Sequence, residues 1–288
     1  MKKYFSLVLF AHSIFALPFA MIGFFLGVTT TDNPFNWLKL VLVLLCMVFA
    51  RNSAMAFNRY LDRNIDAKNP RTVMRDIPAG KVSAREALTF VIINCILFIT
   101  TTFFINNLCF YLSPVALFVV LFYSYTKRFT ALCHLVLGLG LSLAPIGAYI
   151  AVTGAFNLVP VLYSFAVLFW VSGFDIIYAL QDEDFDKGEK LHSIPAALGI
   201  KNALNLSVIL HILSASCVIL PIFFSNFSWV YYIGVAFFCL MLIYQHLLVK
   251  PTDISKVNRA FATTNGYASV VFAICFLLDA FLRTYYNF

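Results

Sequence analysis

Two short stretches carry side chains whose types and spacing can do chemistry. The first is Asn58-Arg59-Tyr60-Leu61-Asp62-Arg63-Asn64-Ile65-Asp66. The second is Asp175-Ile176-Ile177-Tyr178-Ala179-Leu180-Gln181-Asp182-Glu183-Asp184-Phe185-Asp186. Each contains two aspartates four positions apart, Asp62 with Asp66 and Asp182 with Asp186. On a helix that spacing puts both carboxylates on one face, roughly 5–6 Å apart at Cβ, where like charges repel. Such pairs are costly unless a cation sits among them. Hard divalent ions take oxygen ligands, and Mg²⁺ binds through one or two carboxylates plus substrate phosphates while keeping several waters. Two facing acid clusters therefore read as a cradle for Mg²⁺ bridging a diphosphate. The alternative is that the acids are solvated ends of helices. Two such clusters, ending equivalent helices on one side, favour the cradle, and their repetition hints at a duplicated helical unit.

Both motifs reach back into apolar sequence. Arg51, Asn58, Asp62 and Asp66 follow at intervals of 7, 4 and 4, and Asp175, Tyr178, Asp182 and Asp186 at 3, 4 and 4. Each set is expected to line one helical face. Arg51 and Asp175 then sit one to two turns inside apolar helices, where ionisable groups are rare and mark a functional cavity. A structural Arg51–Asp175 ion pair is the alternative; a pair that also faces a cavity satisfies both.

The elements that position these residues are membrane helices. Of the 288 residues 62% are hydrophobic and 11% charged, and the mean hydropathy is +0.89. A soluble domain is about half apolar and about a quarter charged, so this composition excludes one. A bilayer core needs roughly 20 apolar residues per helix. The pattern gives nine spans, at 7–30, 37–57, 87–106, 108–126, 131–153, 158–181, 202–224, 228–249 and 260–282. The expected fold is all-α and polytopic, a single transmembrane domain over 1–288 around a central cavity opening near the cytoplasmic face. The first apolar stretch is too long for a signal-peptide core and lacks a small-residue cleavage site. The seven cysteines (Cys46, Cys95, Cys109, Cys133, Cys217, Cys239 and Cys275) fall inside apolar spans without CxxC or CxxH spacing, and read as small packing residues.

Charge fixes the orientation. Of 20 Lys and Arg, all but Lys39, Arg51 and Arg283 precede the first span or fall at the joins after the second, fourth, sixth and eighth. The positive-inside rule puts those joins and the N-terminus in the cytoplasm. The long polar joins at 58–86 and 182–201 lie on that side, and the opposite joins are short and nearly uncharged. The excess of positive charge is a topology signal that needs no nucleic acid. A secondary transporter also carries buried acids, but near the midplane; here they cluster at one face. A structural scaffold leaves the acid pairs without a purpose.

With both acid motifs intact across nine spans, the chain resembles the UbiA-type family of intramembrane aromatic prenyltransferases. The resemblance extends to His12–Phe19, Asn69–Thr72, Ile77–Gly80, Tyr125–Thr130 and Ala144–Ala148. It is nearest the 4-hydroxybenzoate polyprenyltransferase branch and its menaquinone-pathway relatives. The resemblance implies Mg²⁺ held by Asp62, Asp66, Asp182 and Asp186, with Asn58 assisting, against the diphosphate of a polyprenyl donor. Lys127, Arg71, Arg75 and Lys187 are the candidate diphosphate partners. The C–O bond of the donor ionises, and an aromatic acid, 4-hydroxybenzoate or a naphthoate-type acid, attacks the allylic cation. Arg51 is the candidate for the acceptor's carboxylate, and Asp175 for the cation or the ring proton. Tyr178 or Tyr123 would face the cation through its ring, though single aromatics in membrane helices are more often packing or interface residues. His12 and His192 read as interfacial hydrogen-bonders, and Tyr285 and Tyr286 as an outer aromatic anchor. The implied setting is ubiquinone or menaquinone biosynthesis in a bacterial cytoplasmic membrane.

Overall fold

A computed structural model describes residues 15–31 and 34–286. His12 lies outside them, as do the chain ends Met1 and Phe288. The described chain is helical without a β-strand: α1 (Leu17–Thr29), α2 (Trp37–Asp66), α3 (Ala84–Phe103), α4 (Asn107–Thr126), α5 (Cys133–Thr153), α6 (Leu158–Ala179), the short α7 (Glu183–Gly188), α8 (Ile194–Ile219), α9 (Trp229–Leu248) and α10 (Asn265–Tyr286). Nine of these match the nine expected spans. Eight are long and apolar enough to cross a bilayer; α1, at 13 residues, is shorter, and its expected span begins outside the described residues.

Polar residues in the short joins have a local purpose. Asn106 Oδ1 accepts the Cys109 N–H at 2.8 Å, and Asn157 and Ser228 cap α6 and α9 in the same way. At the opposite face Ser83 and Glu86 form a reciprocal capping box for α3, and Ser193 caps α8. Each cap satisfies a backbone donor that the helix cannot, worth about 1 kcal/mol.

Three of the boundaries that differ from the sequence pattern touch the site. α2 runs on to Asp66, so the first acid motif is helical throughout. α6 instead stops at Ala179; Leu180–Asp182 form a 3₁₀ turn and Asp186 sits on α7. The second motif therefore does not share one continuous helical face: the tighter turn re-aims Asp182 and Asp186 relative to Asp175 and Tyr178. α8 begins at Ile194, eight residues early, and kinks at Gly199, whose φ of 74° suits a residue without Cβ.

The core is unevenly distributed. Phe19, Trp170, Phe238 and Phe272, from α1, α6, α9 and α10, are fully buried and meet in tilted and edge-on contacts with ring centroids 5.4–6.3 Å apart. Trp170 Nε1 and Gln245 Nε2 both donate to Asn265 Oδ1, so the buried N–H donors inside this aromatic block share one acceptor. The other half of the bundle, α2 to α5, leaves space against α6, and that space is the cavity described below. Two close approaches hold its walls. A Cβ on Gly23 of α1 would stand 2.0 Å from the Pro145 carbonyl oxygen of α5. One on Gly138 of α5 would stand 2.4 Å from both Leu168 O and Ser172 Oγ of α6. Outward-facing Ile92, Ile96, Phe118, Ile212 and Leu240 are exposed, as a lipid-facing surface requires.

Candidate functional site

A cavity of about 680 Å³ lies between α2, α4, α5 and α6. Its mouth, at the face of the long basic joins, is lined by Asn58, Asp62, Asp66, Asn69, Arg71, Arg75, Lys127, Asp182 and Asp186. Below the mouth come Arg51, Tyr123, His134, Asp175 and Tyr178, and deeper still the walls are apolar: Val43, Met47, Leu112, Leu141, Ala148. Of the twelve predicted site residues the structure brings eleven to this one cavity. Lys187 is the one left out, paired with Glu183 in an exposed i,i+4 contact at 2.6 Å.

The rim is a lattice of acids covered by bases. Asp62, 2% exposed, receives Lys127 Nζ at 2.6 Å, Arg128 Nη2 at 3.0 Å and Asn58 Nδ2 at 3.1 Å. Asp66 is held by Arg75 Nη1, 2.9 and 3.0 Å from its two oxygens. Asp182 takes Asn69 Nδ2 at 3.0 Å and two nitrogens of Arg71. Arg71 also donates to the Tyr178 hydroxyl at 2.9 Å. Burial works against its charge, but the Asp182 contact outweighs this and holds the guanidinium above its ordinary pKa. Tyr178 presents its ring to Phe261, with centroids 4.2 Å apart.

Among the described residues no three His, Cys, Asp or Glu side chains converge closely enough to hold an ion. The donor set still fits a hard divalent cation: four carboxylates and the Asn58 amide line one mouth, all oxygen donors. In this state Arg71, Arg75, Lys127 and Arg128 stand where cations are needed. Four acids and four bases cancel, so a diphosphate is electrostatically welcome only if cations accompany it.

Asp175 does not pair with Arg51. Its Oδ2 lies 2.7 Å from His134 Nδ1, a residue that spacing arguments do not single out. Arg128 and Asn69 are the other two that they miss. Both fall in stretches that resemble the family, which was the available signal; His134 had none, being 41 positions from its partner on a different helix.

A model of the UbiA prenyltransferase family matches residues 16–276. The chain belongs to that family. As a UbiA prenyltransferase it is an enzyme that transfers prenyl groups and an integral, multi-pass membrane protein, which sets the transporter and scaffold readings aside. It is similar to the 4-hydroxybenzoate octaprenyltransferases of Tolumonas auensis (28% identical over 236 residues, 82% of each chain) and Aliivibrio fischeri (29% over 255 residues, 84% of each). Its fold is that of a UbiA homolog from Aeropyrum pernix K1, with a TM-score of 0.84 and 32% identity over 93% of this chain and 98% of that one. A UbiA homolog from Archaeoglobus fulgidus, bound to GPP and Mg²⁺, has the same fold, with a TM-score of 0.75 and 21% identity over 96% and 99% of the two chains.

Proposed function

We propose that this prenyltransferase moves a polyprenyl chain from polyprenyl diphosphate to an aromatic acid, 4-hydroxybenzoate or a naphthoate-type acid, in ubiquinone or menaquinone biosynthesis. The observation that carries this is the order of side chains down one cavity: a charged rim, then Arg51 and Asp175, then an apolar interior. That order matches a donor with a charged head and a greasy tail, and an acceptor small enough to lie between them. The names of the curated relatives support the acceptor class, and the ligands of the Archaeoglobus structure support a diphosphate with Mg²⁺.

Asp62, Asp66, Asp182 and Asp186, with Asn58, would hold Mg²⁺. The bound ion supplies Lewis-acid neutralisation of the leaving diphosphate. The protein's own part begins with Arg71, Arg75 and Lys127, which turn from the aspartates toward phosphate oxygens and place positive charge where the leaving group gains negative charge. Arg128, bound also to the carbonyls of Leu61 and Ser124, stays on Asp62 and anchors the rim. Arg51 grips the acceptor's carboxylate. Asp175, one helical step below Tyr178, faces the ring carbon that forms the new C–C bond. As that bond forms, the donor C–O electrons leave with the diphosphate and the ring proton passes to Asp175. The apolar walls keep water from the cation. Lys187 has no part in this scheme.

The rim faces the cytoplasm in this reading, with the N-terminus on the same side and the C-terminus opposite, from the distribution of Lys and Arg. Reporter fusions at Met1 and Phe288 should report opposite sides of the membrane; the same side for both would refute it. The function is tested by incubating purified protein with Mg²⁺, a polyprenyl diphosphate and a panel of aromatic acids, with products read by mass spectrometry. A prenylated aromatic acid is expected. Prenyl transfer only to acceptors without a carboxylate would overturn the assignment.

A further inference from the structure

We infer that His134 is a positioning residue that fixes the direction in which Asp175 points its carboxylate toward the reacting ring. This rests on the reading of Asp175 given above, and on a geometry independent of that reading.

His134 sits in the first turn of α5, almost fully buried, with its two ring nitrogens engaged on different elements. Nε2 accepts the backbone N–H of Ile194 at 3.3 Å. Ile194 is the first residue of α8, so this N–H is one of the donors a helix start leaves without an intrahelical partner. A proton on Nε2 would face that N–H directly. The ring therefore carries its proton on Nδ1, which donates to Asp175 Oδ2 at 2.7 Å. The other Asp175 oxygen has no hydrogen-bond partner among the described residues, and Asp175 lines the cavity with 22% of its side chain exposed. One oxygen is thus tethered and the other presented.

The tether is itself held on a third side. Ser172 Oγ, one turn before Asp175 on α6, has a single O–H shared between Leu168 O at 2.7 Å and the His134 carbonyl at 3.2 Å. Gly138, one turn after His134, provides the close approach of α5 to α6 that these contacts require. Backbone, hydroxyl and imidazole together set where the carboxylate points. Misplacing a reacting group by about 1 Å can cost on the order of 100-fold in rate.

The test uses four variants of the full-length enzyme: His134→Leu, His134→Asn, Asp175→Asn and the double variant His134→Leu/Asp175→Asn. Asn places an amide N–H close to where Nδ1–H stood; Leu fills the space without a donor. His134→Leu should lower kcat about 100-fold while moving the KM for polyprenyl diphosphate less than about 2-fold, and His134→Asn should recover at least about 10-fold of that loss. In the Asp175→Asn background His134→Leu should cost less than about 3-fold further, because the two residues act as a unit. Equal losses from His134→Leu in both backgrounds would show that the histidine only packs α5 against α8 and would overturn the proposal. So would an Asn variant no better than Leu, measured on protein whose thermal unfolding matches the parent. Full activity in Asp175→Asn would refute the underlying role of Asp175, whatever the His134 variants do.

Discussion

Replacing Asp62 by Asn tests the rim most directly, because the structure predicts two separate consequences. The substitution keeps the shape and removes the charge from a carboxylate that is 2% exposed and faces Lys127 and Arg128, each 28% exposed. Removing one partner of a fully buried ion pair costs about 3–5 kcal/mol, since the remaining charge is left uncompensated. The two cations here keep some contact with solvent, which screens them, so the loss should be roughly 2–3 kcal/mol. Asp182→Asn strips a less enclosed site, 16% exposed and facing Arg71 at 32%; its loss should be about 1 kcal/mol. Activity should not follow the same ranking. Both residues are assigned to the metal, so both variants should lose product formation by at least about 100-fold at saturating Mg²⁺. Thermal unfolding in detergent reads the first quantity and mass-spectrometric turnover the second. Near-normal turnover in either variant would refute the metal cradle, and equal stability losses would refute the difference in burial on which the ranking depends.

Chelation of divalent ions should abolish product yet leave the unfolding temperature unchanged, because Arg71, Arg75, Lys127 and Arg128 already compensate the acids without an ion; a large destabilisation by chelator would contradict this. Arg51→Lys should raise the KM for the aromatic acid about 10-fold and that for polyprenyl diphosphate less than about 2-fold, since lysine offers a point charge where the guanidinium offers two parallel hydrogen bonds. Equal changes in both KM values would assign Arg51 to the diphosphate. Gly138→Ala puts a methyl group 2.4 Å from Leu168 O and Ser172 Oγ, so α5 must move from α6 at a cost of about 1–3 kcal/mol, measurable by thermal unfolding; an unchanged stability would show that the two helices are not in close contact there.

Much of this molecule is legible in its sequence because a membrane imposes a simple grammar. Length and hydropathy locate the helices, and charge bias sorts the joins into two sets, so eight of the nine expected spans and the common side of both acid motifs follow from the pattern of residues along the chain. Helical spacing also places Arg51, Asn58, Asp62 and Asp66 on one face of α2, and the structure puts all four in one cavity. The same rule fails for the second motif. Asp175 to Asp186 carries a spacing as regular as that of the first, yet the chain leaves the α-helix after Ala179 and passes through a 3₁₀ turn. Nothing in a three- or four-residue interval distinguishes a helix that continues from one that tightens.

What spacing cannot supply is the rotation of one helix against another, and His134 depends on it. Arg51 and Asp175, opposite charges at similar depth, are natural partners on paper. They do not meet: Gly138 and Ser172 let α5 approach α6 closely enough for His134 to take the carboxylate. Arg51 lines the same cavity from α2. In the proposed reaction each meets a different end of the same small aromatic acid, Arg51 its carboxylate and Asp175 the carbon where the new bond forms.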